Sequence, residues 1–131
     1  MTHVGILTND IEKSTDTIIK SFGGRLIRDL VDHDRKVKLA LVKVQEIIIE
    51  FVQPLTSDSP VSNLLKRLGS GVYHVCFEVE DIDEKIEELE KRGFLVIEKP
   101  SSAAIFDGNK VAFLYHRALG IVEIVEKGGS K

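Results

Sequence analysis

Apolar and polar positions alternate along this chain with two periods, and the switches between them mark its elements. His3-Val4-Gly5-Ile6-Leu7 reads as a short strand. Ile11, Ile18, Ile19 and Phe22 then give a helix one apolar face, and Gly23-Gly24 ends it. Asn9 is its expected cap, with Glu12 three residues on as in a capping box. Three strands follow at 26–30, 37–42 and 47–52, the first two separated by the charged turn Asp32-His33-Asp34-Arg35. The first 53 residues therefore read β-α-β-β-β.

Residues 54–71 read as a linker, with Ser59 as N-cap, Pro60 at the first helical position and Gly69 at the end. Val61, Leu64, Leu65 and Leu68 form the apolar stripe of a short helix packed without chemistry. Residues 72–131 repeat the first pattern: a strand at 72–79, then a helix capped by Asp81 with Glu84. Ile82, Ile86 and Leu89 face its core until Gly93 stops it, and strands follow at 94–97, 111–115 and 121–125. Between the first two lies an expected loop, 98–109, with Pro100, two serines and Gly108. It is longer than its counterpart, and such loops often contact a ligand.

Laid on itself, the chain matches. Thr2-His3-Val4 falls on Tyr73-His74-Val75 and Asp10-Ile11 on Asp81-Ile82, both at an offset of 71. Lys36-Val37 falls on Lys110-Val111, and Ile49-Glu50-Phe51 on Val122-Glu123-Ile124. This is a tandem duplication with small insertions, each half carrying one His in its first strand and one Glu in its last. The glutamates are out of place. Ile47-Ile48-Ile49-Glu50-Phe51-Val52 and Ile121-Val122-Glu123-Ile124-Val125 read as strands buried on both faces. A carboxylate there costs several kcal/mol unless it is paired or bound to a metal.

The duplication predicts two His and two Glu meeting between similar modules. Alternation puts His74 with Cys76 and Glu78, and His3 with Gly5 and Leu7, so small residues beside the histidines leave room for a bound group. Two imidazoles with two carboxylates suit a first-row divalent ion, and Zn, Ni, Co, Fe and Mn all remain open. Four protein ligands on an octahedral ion leave two adjacent positions for water or for vicinal substrate oxygens. Each residue alone has a plainer reading: His3 as a near-terminal surface histidine, a glutamate as an edge residue leaning to solvent. His33, in a charged turn, and His116, at a strand end, read as surface residues. Cys76 reads as a small buried thiol. Lys38 shares a face with Ala40 and Val42, and is either an anion-binding lysine or a solvated one; Arg35 and Lys110 are weaker candidates for the same role.

Composition narrows the class. A chain of 131 residues with 43% apolar content suffices for one compact domain with a real core. A net charge of -3 with scattered lysines and arginines argues against nucleic acid. The single cysteine fits a reducing cytoplasm, and no apolar run approaches the roughly 18 residues of a membrane span. The first strand starts within two residues of Met1, so no signal peptide is expected.

Over essentially its whole length the chain resembles the vicinal oxygen chelate superfamily, with glyoxalase I and methylmalonyl-CoA epimerase as the nearest likenesses. The resemblance is carried by His3-Val4-Gly5-Ile6, by Ile49-Glu50-Phe51-Val52-Gln53-Pro54 and by Asp58-Ser59-Pro60. It continues in His74-Val75-Cys76-Phe77-Glu78-Val79-Glu80-Asp81-Ile82, Lys110-Val111-Ala112-Phe113-Leu114 and Ile121-Val122-Glu123. It implies an α+β fold of two tandem βαβββ modules, cupped around a metal held by His3, Glu50, His74 and Glu123. It also implies one domain over 1–131, with modules at 1–53 and 72–131.

The implied activity, placed first, is a glyoxalase I-like lyase in which Glu123 or Glu50 moves a proton through an enediolate-like intermediate. The alternative is a methylmalonyl-CoA epimerase-like isomerase; a metal-free binding or resistance protein and a ring-cleaving dioxygenase stand behind it. Some epimerases of this type place an extra glutamate where Lys38 falls, which favours the lyase. The implied partner is a small molecule, a 2-oxoaldehyde–thiol adduct or an acyl-CoA, with no nucleic acid and no membrane, and a homodimer is expected. The apolar stripe of the linker helix leads us to expect that it packs on its own subunit, closing the site within one chain.

Overall fold

The computed structural model describes residues 2–128. Two compact units form: His3–Tyr73 is one, and the other starts at His74 and includes Thr2.

The first unit runs β1 (His3–Leu7), α1 (Ile11–Phe22), β2 (Arg25–Asp32), β3 (Val37–Val44), β4 (Ile47–Pro54) and α2 (Ser62–Leu68). Its strands lie in the order β2-β3-β4-β1, with β1 parallel to β4 and the other neighbours antiparallel. Ala40, Val42, Val44 and Phe51 bury one face of this sheet against Ile11, Ile18 and Ile19 of α1. That is the helix face the spacing of the isoleucines calls for.

The second unit is built the same way. β5 (Gly71–Val79), α3 (Ile82–Lys91), β6 (Leu95–Ser102), β7 (Lys110–His116) and β8 (Gly120–Glu126) follow in order, and the sheet reads β5-β8-β7-β6. β5 is parallel to β8. Ala112, Leu114 and Ile124 pack against Ile82, Ile86 and Leu89 of α3. The α+β class and the two βαβββ modules are as expected.

Each parallel pair does a second job. Three residues after its glutamate, the last strand of each module reaches back to its own helix: Gln53 Oε1 accepts from the Ile11 amide at 2.8 Å, and Glu126 Oε2 from the Ile82 amide at 2.9 Å. These are first-turn amides with no partner inside the helix.

Several boundaries differ from expectation. Asp10, not Asn9, caps α1: its Oδ1 accepts from the Lys13 amide at 3.1 Å, while Thr8 Oγ1 accepts from its own amide. Phe22 lies outside the packed face, 68% exposed, lining a groove with Thr8 and Phe51. Ser59 is buried in a turn closed by the Ser62 amide on its carbonyl, so α2 starts after Val61, and Leu68 is exposed. The expected loop at 98–109 is half strand: β6 continues to Ser102, and a single 3-10 turn, Ala104–Phe106, precedes β7. Pro100 is no obstacle there because β6 is an edge strand.

Candidate functional site

Residues opposite one another in a ladder point to the same side of the sheet, so register decides what can meet. In the first unit Glu50 is paired with Gly5 on one side and Leu41 on the other. Its neighbours Ile49 and Phe51 pack towards α1, and Glu50 therefore stands on the opposite face. His3, two residues before Gly5, shares that face. His3 Nε2 lies 3.2 Å from Glu50 Oε1, and both side chains are buried.

The second unit repeats this. Glu123 is paired with Cys76 and Phe113, and Val122 and Ile124 face the helix side. His74 Nε2 lies 3.1 Å from Glu123 Oε1, again with both groups buried. Phe113 packs edge-on to the His74 ring, centroids 5.2 Å apart, which holds the imidazole plane. The parallel pairing explains both contacts. The helix carries the chain to the far edge strand, and two antiparallel steps return it. The last strand thus lies beside the first in one direction, and a His early in one meets a Glu mid-way in the other.

A divalent cation fits these donors. Adjacent ligands at right angles with bonds of about 2.1 Å stand about 3.0 Å apart, and the two His–Glu separations are 3.2 and 3.1 Å. Buried carboxylates are stable when paired or bound to a metal. Each buried His–Glu pair, His3 with Glu50 and His74 with Glu123, could thus supply ligands to a metal ion.

The other candidates fall elsewhere. Lys38 does share a face with Ala40 and Val42, but that is the α1 side, away from Glu50. It lines a groove with Glu12 and Asp16 of α1 and Asp29 of β2, acids enough to balance it. Arg35 is tied into the β2–β3 turn, its amide donating to Asp32 Oδ1 at 3.0 Å and its Nε 3.8 Å from Asp32 Oδ2. Lys110 opens β7, exposed. His116 packs on Phe94 and accepts the Ala118 amide at Nδ1, a structural role at a strand end. Cys76 is a fully buried thiol.

Two further charged residues share a face with the His–Glu pairs. Arg28 is paired with Leu41, hence in line with Glu50, and Glu98 is paired with Phe113, hence in line with Glu123. Arg28 alternates regularly with Leu30 and Asp32 just after a β-bulge, whereas Glu98 lies between two register slips that strict alternation does not anticipate.

The fold and the His–Glu pairs define a class. A family model described as Glyoxalase/Bleomycin resistance protein/Dioxygenase superfamily matches residues 2–113, and the chain belongs to that superfamily. The mitochondrial methylmalonyl-CoA epimerase of Dictyostelium discoideum is 28% identical over 130 residues, 97% of this chain and 78% of that protein. The solved structure of a hypothetical protein from Bacillus halodurans is similar at a TM-score of 0.88 and 27% identity, covering 100% of this chain and 96% of that one. A variant of Streptomyces coelicolor methylmalonyl-CoA epimerase in complex with 2-nitronate-propionyl-CoA is similar in fold at a TM-score of 0.86 and 20% identity, covering 98% and 97%. The Dictyostelium relative favours the epimerase alternative over the lyase placed first. No helix among the described residues is long and apolar enough to cross a membrane.

Proposed function

We propose that this chain is one domain acting as a divalent-metal-dependent epimerase of a 2-substituted malonyl thioester, of the methylmalonyl-CoA kind. His3, Glu50, His74 and Glu123 together hold the ion, with Ni, Zn, Co, Mn and Fe as the candidates. The observation that carries the reading is the duplicated, buried His–Glu pair, at 3.2 Å in one module and 3.1 Å in the other. The curated relative named as a methylmalonyl-CoA epimerase supports the choice of substrate.

When bound, the cation supplies Lewis-acid polarisation of the substrate carbonyl. The protein's own residues do the rest. The carbon between thioester and carboxylate is acidic, and Glu123, or its counterpart Glu50, takes its proton. The C–H electron pair moves into the thioester carbonyl. Return of a proton to the other side of the same carbon, with the electron pair falling back, inverts the centre without net change in atoms or electrons. Phe113 steadies His74 through its edge contact, and the apolar residues flanking both glutamates keep water from competing for the proton. The same reading keeps a homodimer in the cytoplasm, in line with the single cysteine.

The test is to strip the protein with chelator, add back each metal, and follow one epimer of methylmalonyl-CoA in deuterated water. Racemisation with deuterium uptake at the 2-position, lost on chelation, is the expected result. Isomerisation of a methylglyoxal–thiol adduct, without racemisation, would return the lyase to first place.

A further inference from the structure

The two modules share a device that the ligand pairs do not explain. In β2 the pairing slips between Leu26, opposite Val42, and Arg28, opposite Leu41. In β6 it slips at the duplicated place, between Val96, opposite Leu114, and Glu98, opposite Phe113. From Arg28 to Asp32 the pairing with β3 is regular, so Arg28 stands opposite Leu41 by plain alternation and the bulge sets Ile27 out of that register. In β6, slips on both sides of Glu98 leave it opposite Phe113. Each edge strand thus carries one charged residue in line with a buried glutamate.

In the first unit the row reads Gly5, Glu50, Leu41, Arg28. Arg28 starts two strand spacings from Glu50, roughly 10 Å, and only the side chain of Leu41 lies between. It is half-buried, whereas Arg25 and Lys43, cross-strand partners further along the same face, are exposed. A half-buried arginine in line with Glu50 suits a small planar anion, which a guanidinium fork grips bidentately. The exposed pair at the rim suits more distant phosphates.

We propose that Arg28 is the specificity residue for the free carboxylate of the substrate, selecting malonyl-type thioesters over neutral acyl thioesters. This rests on the epimerase reading for the class of substrate, and the experiment separates the two. Binding of malonyl-CoA and of acetyl-CoA is measured by calorimetry on metal-loaded and metal-free wild type, Arg28→Gln, Arg28→Lys and, as a control of equal charge change on the opposite face, Lys38→Gln. A charge-assisted fork is worth about 10–100-fold. Arg28→Gln is therefore expected to weaken malonyl-CoA by that factor and leave acetyl-CoA within about twofold, with Lys38→Gln like wild type. Arg28→Lys, which keeps the charge and the strand, is expected to recover part of the preference, and it decides the matter alone should the glutamine variant not fold. Equal weakening of both ligands would mean that Arg28 reads the phosphates of the carrier and would overturn the proposal. So would wild type that shows no preference for malonyl-CoA, or a preference that Arg28→Gln and Arg28→Lys leave intact. Wild type that prefers malonyl-CoA through Arg28 but never racemises methylmalonyl-CoA removes the epimerase reading and leaves Arg28 standing.

Discussion

Glu123 is a side chain with two demands on it: it is buried beside His74, and it is the proposed proton carrier. Replacing it with Gln keeps the volume and one oxygen donor and removes the base. Loss of a positioned general base costs about 10²–10⁴-fold in rate, so Glu123→Gln is expected to lower kcat by that range. Metal content, measured on the same preparation, separates lost chemistry from a lost ion. The histidines and glutamates themselves were legible from sequence, because a charged residue inside a run of β-branched residues is an anomaly that duplication then repeats. Arg28 and Glu98 were not legible, because nothing local distinguishes them from other strand charges.

Elements are tied together by a few polar contacts that single substitutions can probe. Gln53→Ala removes the acceptor for the Ile11 amide. An N-terminal amide of a helix left without its acceptor costs about 1 kcal/mol, and a fall of a few degrees in Tm is expected. Across the first unit, Lys36 Nζ donates to Asp58 Oδ2 at 2.6 Å, and the Thr56 hydroxyl donates to Asp58 Oδ1, fastening the β2–β3 turn to the segment before α2. The hydrogen bond from Lys36, then that from Thr56, holds the Asp58 carboxyl below the usual carboxylate range. A carboxyl lowered in the folded state stabilises at pH above its unfolded value, and this is lost as pH falls through the folded one. Asp58→Asn is therefore expected to lower Tm slightly near neutral pH and to match wild type in acid. Because the pair is exposed, salt should shrink the difference; a gap that widens in acid would contradict this origin.

For the whole molecule, each unit supplies one His–Glu pair, and the proposed centre needs both. Mixing a His3→Ala chain with a Glu123→Ala chain tests where they meet. If one chain closes its own site, both sites stay broken and no racemisation is expected. Recovered activity in the mixture would mean that one chain's first unit completes another chain's second.

The sequence by itself determined the modules, their helices and the two buried His–Glu pairs. Those rest on local rules: side-chain period, amides that need caps, and the cost of a carboxylate among β-branched residues. Tertiary pairing decided the direction of individual side chains. Lys38 was read correctly as sharing a face with Ala40 and Val42, yet only packing against α1 shows which face that is. The register with β3 sets Arg28 in line with Glu50, and slips on both sides of Glu98 set it in line with Glu123. A strand's alternation is a property of the chain, but where it skips is set by the partner strand, whose hydrogen bonds select the register.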